Sequence, residues 1–324
     1  MQQAFGLMAD YNSALGTAAF KNAELLKKCT HNGLLHGGPH YINYGIKPCV
    51  HHTFAHAKPF ASILDHWEYL PKIDTSTPLP RVVAYGETYF KELAVSTFGI
   101  GDWRGTVSAY DSVYKPTNDV RQATGGTLAL LYHNKVGLIC TASLAIYKMI
   151  EAYNQQPQPG EDIALTPRIE TYKDGVWFTS LFDLEATFTS KADNDTIGYE
   201  AKVQLKNEEK EVVIETASDF ILNYNCSKEK LEISASTNQN IKKPAAFVLP
   251  IVSPLGEKVE QLSENIITIE KPNGTVRISA NVALMIKETP KDRTFNMVPG
   301  LAAVPIIASF QKEKTQVKIT IEII

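Results

Sequence analysis

Residues 266–280 read IITIEKPNGTVRISA, and residues 316–323 read QVKITIEI. Val276, Ile278 and Ala280 fall at every second position, as do Val317, Ile319, Ile321 and Ile323. A period of two places these side chains on one face of an extended chain and their polar neighbours on the other. Strands of this kind are buried on one side, which is the habit of antiparallel sheets. Asn273-Gly274 between two such runs is a hairpin signal, and Asp174-Gly175 is a second.

Working outward, β-prone runs occur at 81–85, 89–97, 105–110, 127–133, 137–143, 176–179, 186–190, 198–205, 211–215, 220–224, 231–235, 246–251, 266–270, 276–280, 305–310 and 316–322. Strands this numerous, joined by short turns with no helical periods between them, predict a large antiparallel β-sandwich over 81–324. Ahead of it, residues 71–80, with TSTPLP at 75–80, form a polar, proline-bearing linker.

The segment 1–70 differs in texture. Ala4, Phe5, Leu7, Met8, Tyr11, Leu15, Ala19, Phe20, Ala23 and Leu26 recur at three- and four-residue steps, which predicts helix. Lys27 and Lys28 suit its last turn, where cations meet the negative end of the dipole, and Asn32-Gly33 breaks it. A second helix is expected to start near Cys49. The fold class is therefore mainly β with an N-terminal helical segment.

Composition excludes several functions. With 324 residues, 44% apolar, 21% charged and a net charge of −3, the chain reads as a soluble globular protein, not a nucleic-acid binder. Neither a basic leader followed by an apolar run nor a span of about 20 apolar residues occurs, so no signal peptide and no membrane partner is expected. Cys29, Cys49, Cys140 and Cys226 form no CxxC pattern and read as buried thiols, with a Cys29–Cys49 bridge as the lesser alternative.

The chemistry concentrates at 29–67, CTHNGLLHGGPHYINYGIKPCVHHTFAHAKPFASILDHW, which holds seven of the eight histidines; the eighth is His133. No Asp or Glu lies between Leu25 and Leu64, whereas Lys27, Lys28, Lys47 and Lys58 do. Glycoside hydrolysis needs two flanking carboxyl groups, and this stretch has none. Imidazole and phenol can instead take and return protons near neutral pH, so proton abstraction from an anion suits it better. His52 and His56 stand four apart and share a helix face, with His51 to one side. That set lacks the Glu of an HExxH zinc site, and a metal-dependent hydrolase would need carboxylates such as Asp111 or Asp119 from elsewhere. No cofactor is expected; zinc or calcium is the lesser alternative.

Two places resemble the heparinase II/III-like polysaccharide lyases. Residues 32–45, NGLLHGGPHYINYG, are similar to that family's Asp-Gly, Glu-Gly-Pro, Tyr and Tyr-Gly pattern, with Asn32 standing for the Asp and His36-Gly37-Gly38 departing from the Glu-Gly. Residues 123–133, ATGGTLALLYH, followed by 138–147, resemble the first long strand pair of its sandwich. The family's His-Gly-His-x-Asp motif ahead of that strand is missing, since 122–126 has neither His nor Asp.

The resemblance implies an (α/α) toroid, of which this chain holds the last two or three helices, followed by the sandwich. It further implies β-elimination on a uronic-acid-containing polysaccharide, and a periplasmic or extracellular location. A missing N-terminal toroid would then be a partner. Tyr41, where the family has a tyrosine, becomes the acid or base, with His40 and His52 behind it. Asn32, His36, His51 and His56 would hold the uronate, with Arg104 contributing from the sandwich. A second reading is a non-catalytic carbohydrate-binding scaffold in which Trp103 and Trp177 form a sugar platform.

Overall fold

A computed structural model describes residues 2–48, 50–109, 125–143, 164–289, 292–294, 300–312 and 315–324. It divides into two units, Met1–Val83 and Ala84–Ile324.

The first unit opens with α1 (Gln2–Leu7) and α2 (Ser13–Cys29) rather than one continuous helix. The break lies at Asn12, whose backbone is extended and whose side chain accepts the Ala14 N–H at 3.0 Å. A side-chain cap of this kind stabilises a helix start, and it outweighs an apolar period running through it. Lys27 and Lys28 do sit in the last turn of α2. Gly16 lets another segment approach: a Cβ there would meet Ala9 at 2.9 Å and Ile73 at 3.2 Å. Thr17 secures that approach by donating to the Asp74 and Thr77 carbonyls at 3.2 and 2.8 Å. Two short strands, β1 (Thr30–His31) and β2 (Leu34–Leu35), precede α3 (Val50–Asp65), which runs through Pro59 and buries none of its residues. No described helix is long and apolar enough to cross a membrane.

The second unit starts with a meander of five antiparallel strands in chain order: β3 (Gly86–Phe90), β4 (Val95–Ile100), β5 (Trp103–Ser108), β6 (Thr127–His133) and β7 (Gly137–Thr141). Next come β8 (Arg168–Lys173), β9 (Val176–Thr179), β10 (Thr187–Ala192), β11 (Thr196–Gln204), β12 (Asp219–Ser227) and β13 (Lys230–Ser236). The chain finishes with β14 (Ala245–Val252), β15 (Val259–Ser263), β16 (Ile266–Lys271), β17 (Gly274–Ala280), β18 (Leu284–Ile286), β19 (Ala303–Ser309) and β20 (Gln316–Ile323). Among the described residues these form an eight-stranded sheet, ordered 10-11-12-13-20-17-16-15, and a five-stranded sheet, ordered 18-19-14-8-9.

The alternating residues behave as their period requires. Val276 and Ile278 of β17, like Val317, Ile319 and Ile321 of β20, are at most 1% exposed. They join one continuous core with Phe98 and Trp103 of the meander and Phe247 and Leu249 of the other five-stranded sheet, so all three sheets share it. At roughly 1.5–3 kcal/mol for each large aliphatic side chain fully buried, this core dominates the stability of the unit. Ser96 on β4 also links two sheets: its hydroxyl donates to Glu87 at 2.7 Å and lies 3.0 Å from the Tyr199 hydroxyl on β11.

Several expectations need correction. Residues 81–85 are not a strand, because Pro80 opens a 3-10 turn, Pro80–Val82. The run at 89–97 is split by a second such turn and by Ala94 at φ +47°, giving the β3–β4 hairpin. Residues 211–215 make only a single bridge, Lys206 to Val212, since Lys210 and Glu215 both take positive φ. Strands β8, β15 and β18 form in addition, although their residues show no clear apolar alternation. The β16–β17 turn falls on Pro272-Asn273, with Lys271 opposite Gly274, because the fixed φ of proline suits the first central position of an ordinary β-turn. Asp174-Gly175 forms that turn as expected, at φ +51° and +87°.

Candidate functional site

The histidine-rich stretch is shaped first by Asn32 and Gly33. Both take positive φ, +51° and +76°, and they close a two-residue turn that pairs Thr30 with Leu35 and His31 with Leu34. The Asn-Gly pair is thus a hairpin as well as a helix stop. The Leu35 N–H donates to Thr53 Oγ1 at 2.9 Å, tying the hairpin to α3, and the His36 N–H donates to the Cys29 carbonyl at 2.9 Å. As a result the His31 and His36 rings meet edge to face, with centroids 5.1 Å apart. His36 is buried; among the described residues its Nδ1 and the Nε2 of His31 have no hydrogen-bond partner. A buried ring nitrogen without a partner is costly unless something else satisfies it. His31 received no role from the sequence, although the Asn-Gly signal, read as a hairpin, would have placed it beside His36.

Tyr41 follows in a short 3-10 turn, Tyr41–Tyr44, closed by Gly45 at φ +69°. Its N–H donates to the Gly38 carbonyl at 3.2 Å and its carbonyl accepts from Ile46 at 3.1 Å. The ring is only 5% exposed and rests on Gly38, where a Cβ would lie 3.2 Å from its edge. His40, beside it, is exposed, as are Asn32, His51, His52 and His56. His51 and His52 have ring centroids 6.0 Å apart. His56 lines a small pocket of about 170 Å³ with Leu26, Leu35, Thr53 and Phe60. Ring contacts join His31 to His36 and His51 to His52. Among the described residues no group of three or more His, Cys, Asp or Glu side chains is placed so that it could hold a metal ion. Asp111, Asp119 and Cys49 lie outside the described residues, and Cys29 is buried.

Arg104 belongs to the other unit. It is 4% exposed on β5 and its Nη1 donates to the Gly101 and Trp103 carbonyls. Trp103 is fully buried, edge to face with His133 at 4.7 Å, so the expected Trp103 half of a sugar platform is a core residue instead. His133 Nδ1 accepts the Lys135 N–H at 3.2 Å. Burial, helped by Lys135 and Arg104 and opposed by Asp102, holds this imidazole below the usual histidine range. A cavity of about 580 Å³ in the same unit is lined by Asp183, Glu185, Asp219 and Lys202, with Asp183 and Glu185 paired to Lys206 at 2.8 and 3.0 Å.

Known proteins share both units of this chain. Residues 1–82 match the model of the ulvan lyase N-terminal domain, and residues 87–324 match that of the ulvan lyase C-terminal domain. The chain belongs to the ulvan lyase family. A curated ulvan lyase relative, the broad-specificity ulvan lyase of Formosa agariphila, is 57% identical over 323 residues, which is all of this chain and 51% of that protein. The chain therefore spans about half the length of that relative. Two solved structures of a heparinase III gene product, one with methylated lysines, superpose with TM-scores of 0.53 and 0.51. Each is 9% identical and covers 84% of this chain and 41% of its own. Likeness at that identity concerns the fold, and it agrees with the heparinase-like architecture of the ulvan lyase chain: a few helices followed by large antiparallel sheets.

Proposed function

We propose that this chain is the C-terminal half of a polysaccharide lyase that cleaves a uronate-containing anionic polymer, ulvan in the first instance, by β-elimination. A base removes the proton from C5 of the uronate, the C4–O bond breaks, and an acid protonates the leaving glycosidic oxygen. No water is consumed and the product gains a carbon–carbon double bond. The observation that carries the reading is the carboxylate-free stretch of imidazoles and one phenol along the hairpin, the 3-10 turn and α3, in a chain of the ulvan lyase family. Neutral or cationic groups can stabilise the enolate-like charge that builds up on the uronate, whereas a carboxylate there would oppose it.

In this reading Tyr41 is the acid or base, with His40 and His52 next in line. Asn32, His36, His51 and His56 contact the uronate carboxylate, and Arg104 is a separate candidate on the β unit. No cofactor is assigned. The apolar side chains that α3 leaves in water, Val50, Phe54 and Leu64 at 56%, 71% and 70% exposure, support further helices of an (α/α) toroid as its partner. A periplasmic or extracellular location follows from a polymer too large to enter a cell.

The test is ultraviolet absorbance of the unsaturated product when the protein is incubated with ulvan, repeated with Tyr41→Phe and His52→Ala. Ulvan retained by the protein without any rise in absorbance, also when the N-terminal toroid is supplied, would favour the second reading, a non-catalytic carbohydrate-binding scaffold.

A further inference from the structure

Two large aromatic side chains sit in water where the core does not use them. Tyr172 and Trp177 face each other across the β8–β9 hairpin as a cross-strand pair, next to the tight Asp174-Gly175 turn. They are 49% and 51% exposed, their ring centroids are 4.9 Å apart, and their planes are inclined by 50°. Side chains of this size normally bury, so an apolar patch held open on a two-residue turn points to a ligand.

A cation completes the patch. The Lys287 ammonium lies 5.9 Å from the centre of the Trp177 ring, and its backbone is held by a 3.0 Å hydrogen bond to the Pro305 carbonyl. Among the described residues no carboxylate lies within ion-pair distance of Lys287. Lys173 nearby is occupied differently, by Glu215 at 3.2 Å and Asp174 at 3.6 Å. A half-open aromatic face with one uncommitted ammonium above it matches a pyranose ring carrying an anionic substituent: the C–H face of the sugar lies on the indole, and its carboxylate or sulfate meets the lysine. Two half-exposed rings offer far less than the roughly 1,200 Å² that a stable protein partner requires, whereas one sugar ring is about the size of one indole.

We propose that Tyr172, Trp177 and Lys287 form a second, non-catalytic binding patch for an anionic polysaccharide chain. The choice of polymer rests on the lyase reading above; the binding itself does not. Such a patch would hold the polymer near the enzyme between cuts and raise its effective concentration.

The experiment is electrophoresis of the full chain through gels containing ulvan or, as a neutral control, laminarin. The wild type is expected to be retarded by ulvan, less so as salt rises. Trp177→Ala should weaken ulvan binding about fivefold or more, Trp177→Phe should retain most of it, and Lys287→Gln should weaken it and flatten the salt dependence. Circular dichroism checks that each variant is folded; if Trp177→Ala does not fold, Tyr172→Ala and Lys287→Gln carry the test. Unchanged retardation of the folded variants, or no retardation of the wild type, overturns the proposal. Absorbance of unsaturated product is read in parallel. Product from the wild type with binding indifferent to Trp177 sinks the patch and leaves the lyase reading intact. Retardation that depends on Trp177 without any product, also when the chain is joined to the N-terminal toroid it lacks, sinks the lyase reading and leaves the patch.

Discussion

Replacing Tyr41 with phenylalanine removes one oxygen and leaves the packing in place. The ring is 5% exposed and seated against Gly38, so the phenyl ring of the variant should occupy the same space. The loss to stability is that of one buried hydroxyl interaction, about 1 kcal/mol, or a few degrees in Tm. The loss to turnover should be far larger, because a positioned acid or base contributes about 10²–10⁴ in rate. A graded companion is Gly38→Ala. Its Cβ would stand 3.2 Å from the Tyr41 ring, some tenths of an ångström inside ordinary contact, so the ring must shift by about that much. Since a misplacement of about 1 Å can cost 100-fold, a shift of this size should lower kcat roughly three- to tenfold. Both variants are assayed by product absorbance on ulvan, with thermal unfolding alongside. If Tyr41→Phe keeps more than a third of wild-type kcat while remaining folded, Tyr41 is neither acid nor base, and the assignment must move to His40 or His52.

Other outcomes follow from the β unit. His133 is held neutral by burial, so its folded-state pKa lies below the unfolded value of about 6.5. Between the two values the unfolded chain binds more protons; stability is therefore complete above about pH 6.5 and is lost as pH falls below it. Urea unfolding of wild type and His133→Gln should accordingly converge between pH 7.5 and 5.5, and a gap independent of pH would refute this. Gly105→Ala places a Cβ 2.2 Å from the ring of Phe98, its cross-strand partner, which is fully buried and has nowhere to go. The expected cost is about 1–3 kcal/mol, read as a lower urea midpoint for the β unit; an unchanged midpoint would mean the ring repacks freely. Burial pushes the Cys140 and Cys226 thiols up to about 12 and raises Cys29 as well. In a Cys49→Ser variant a thiol reagent should therefore react only after denaturant is added, and rapid labelling of the folded protein would contradict this.

What could be read in advance was local. The period of two in 276–280 and 317–323 announces strands buried on one side, because a pleated backbone sends alternate side chains to opposite faces whatever lies nearby. Asp174-Gly175 announces a tight turn and Asn32-Gly33 a helix stop because few residues tolerate positive φ. The imidazole-rich, acid-free stretch is likewise plain from its residues, and with it the preference for moving protons over hydrolysis. Only the tertiary structure decided which of those side chains meet. His31 reaches His36 through a hairpin that Thr53 anchors from 18 residues away, and Tyr41 is closed in by Gly38. Trp103 sinks into the core against His133 while Trp177 stays in water beside Lys287. Burial belongs to the set of partners brought together from distant positions and not to a residue's own type, so two tryptophans that look alike in the sequence end with opposite fates.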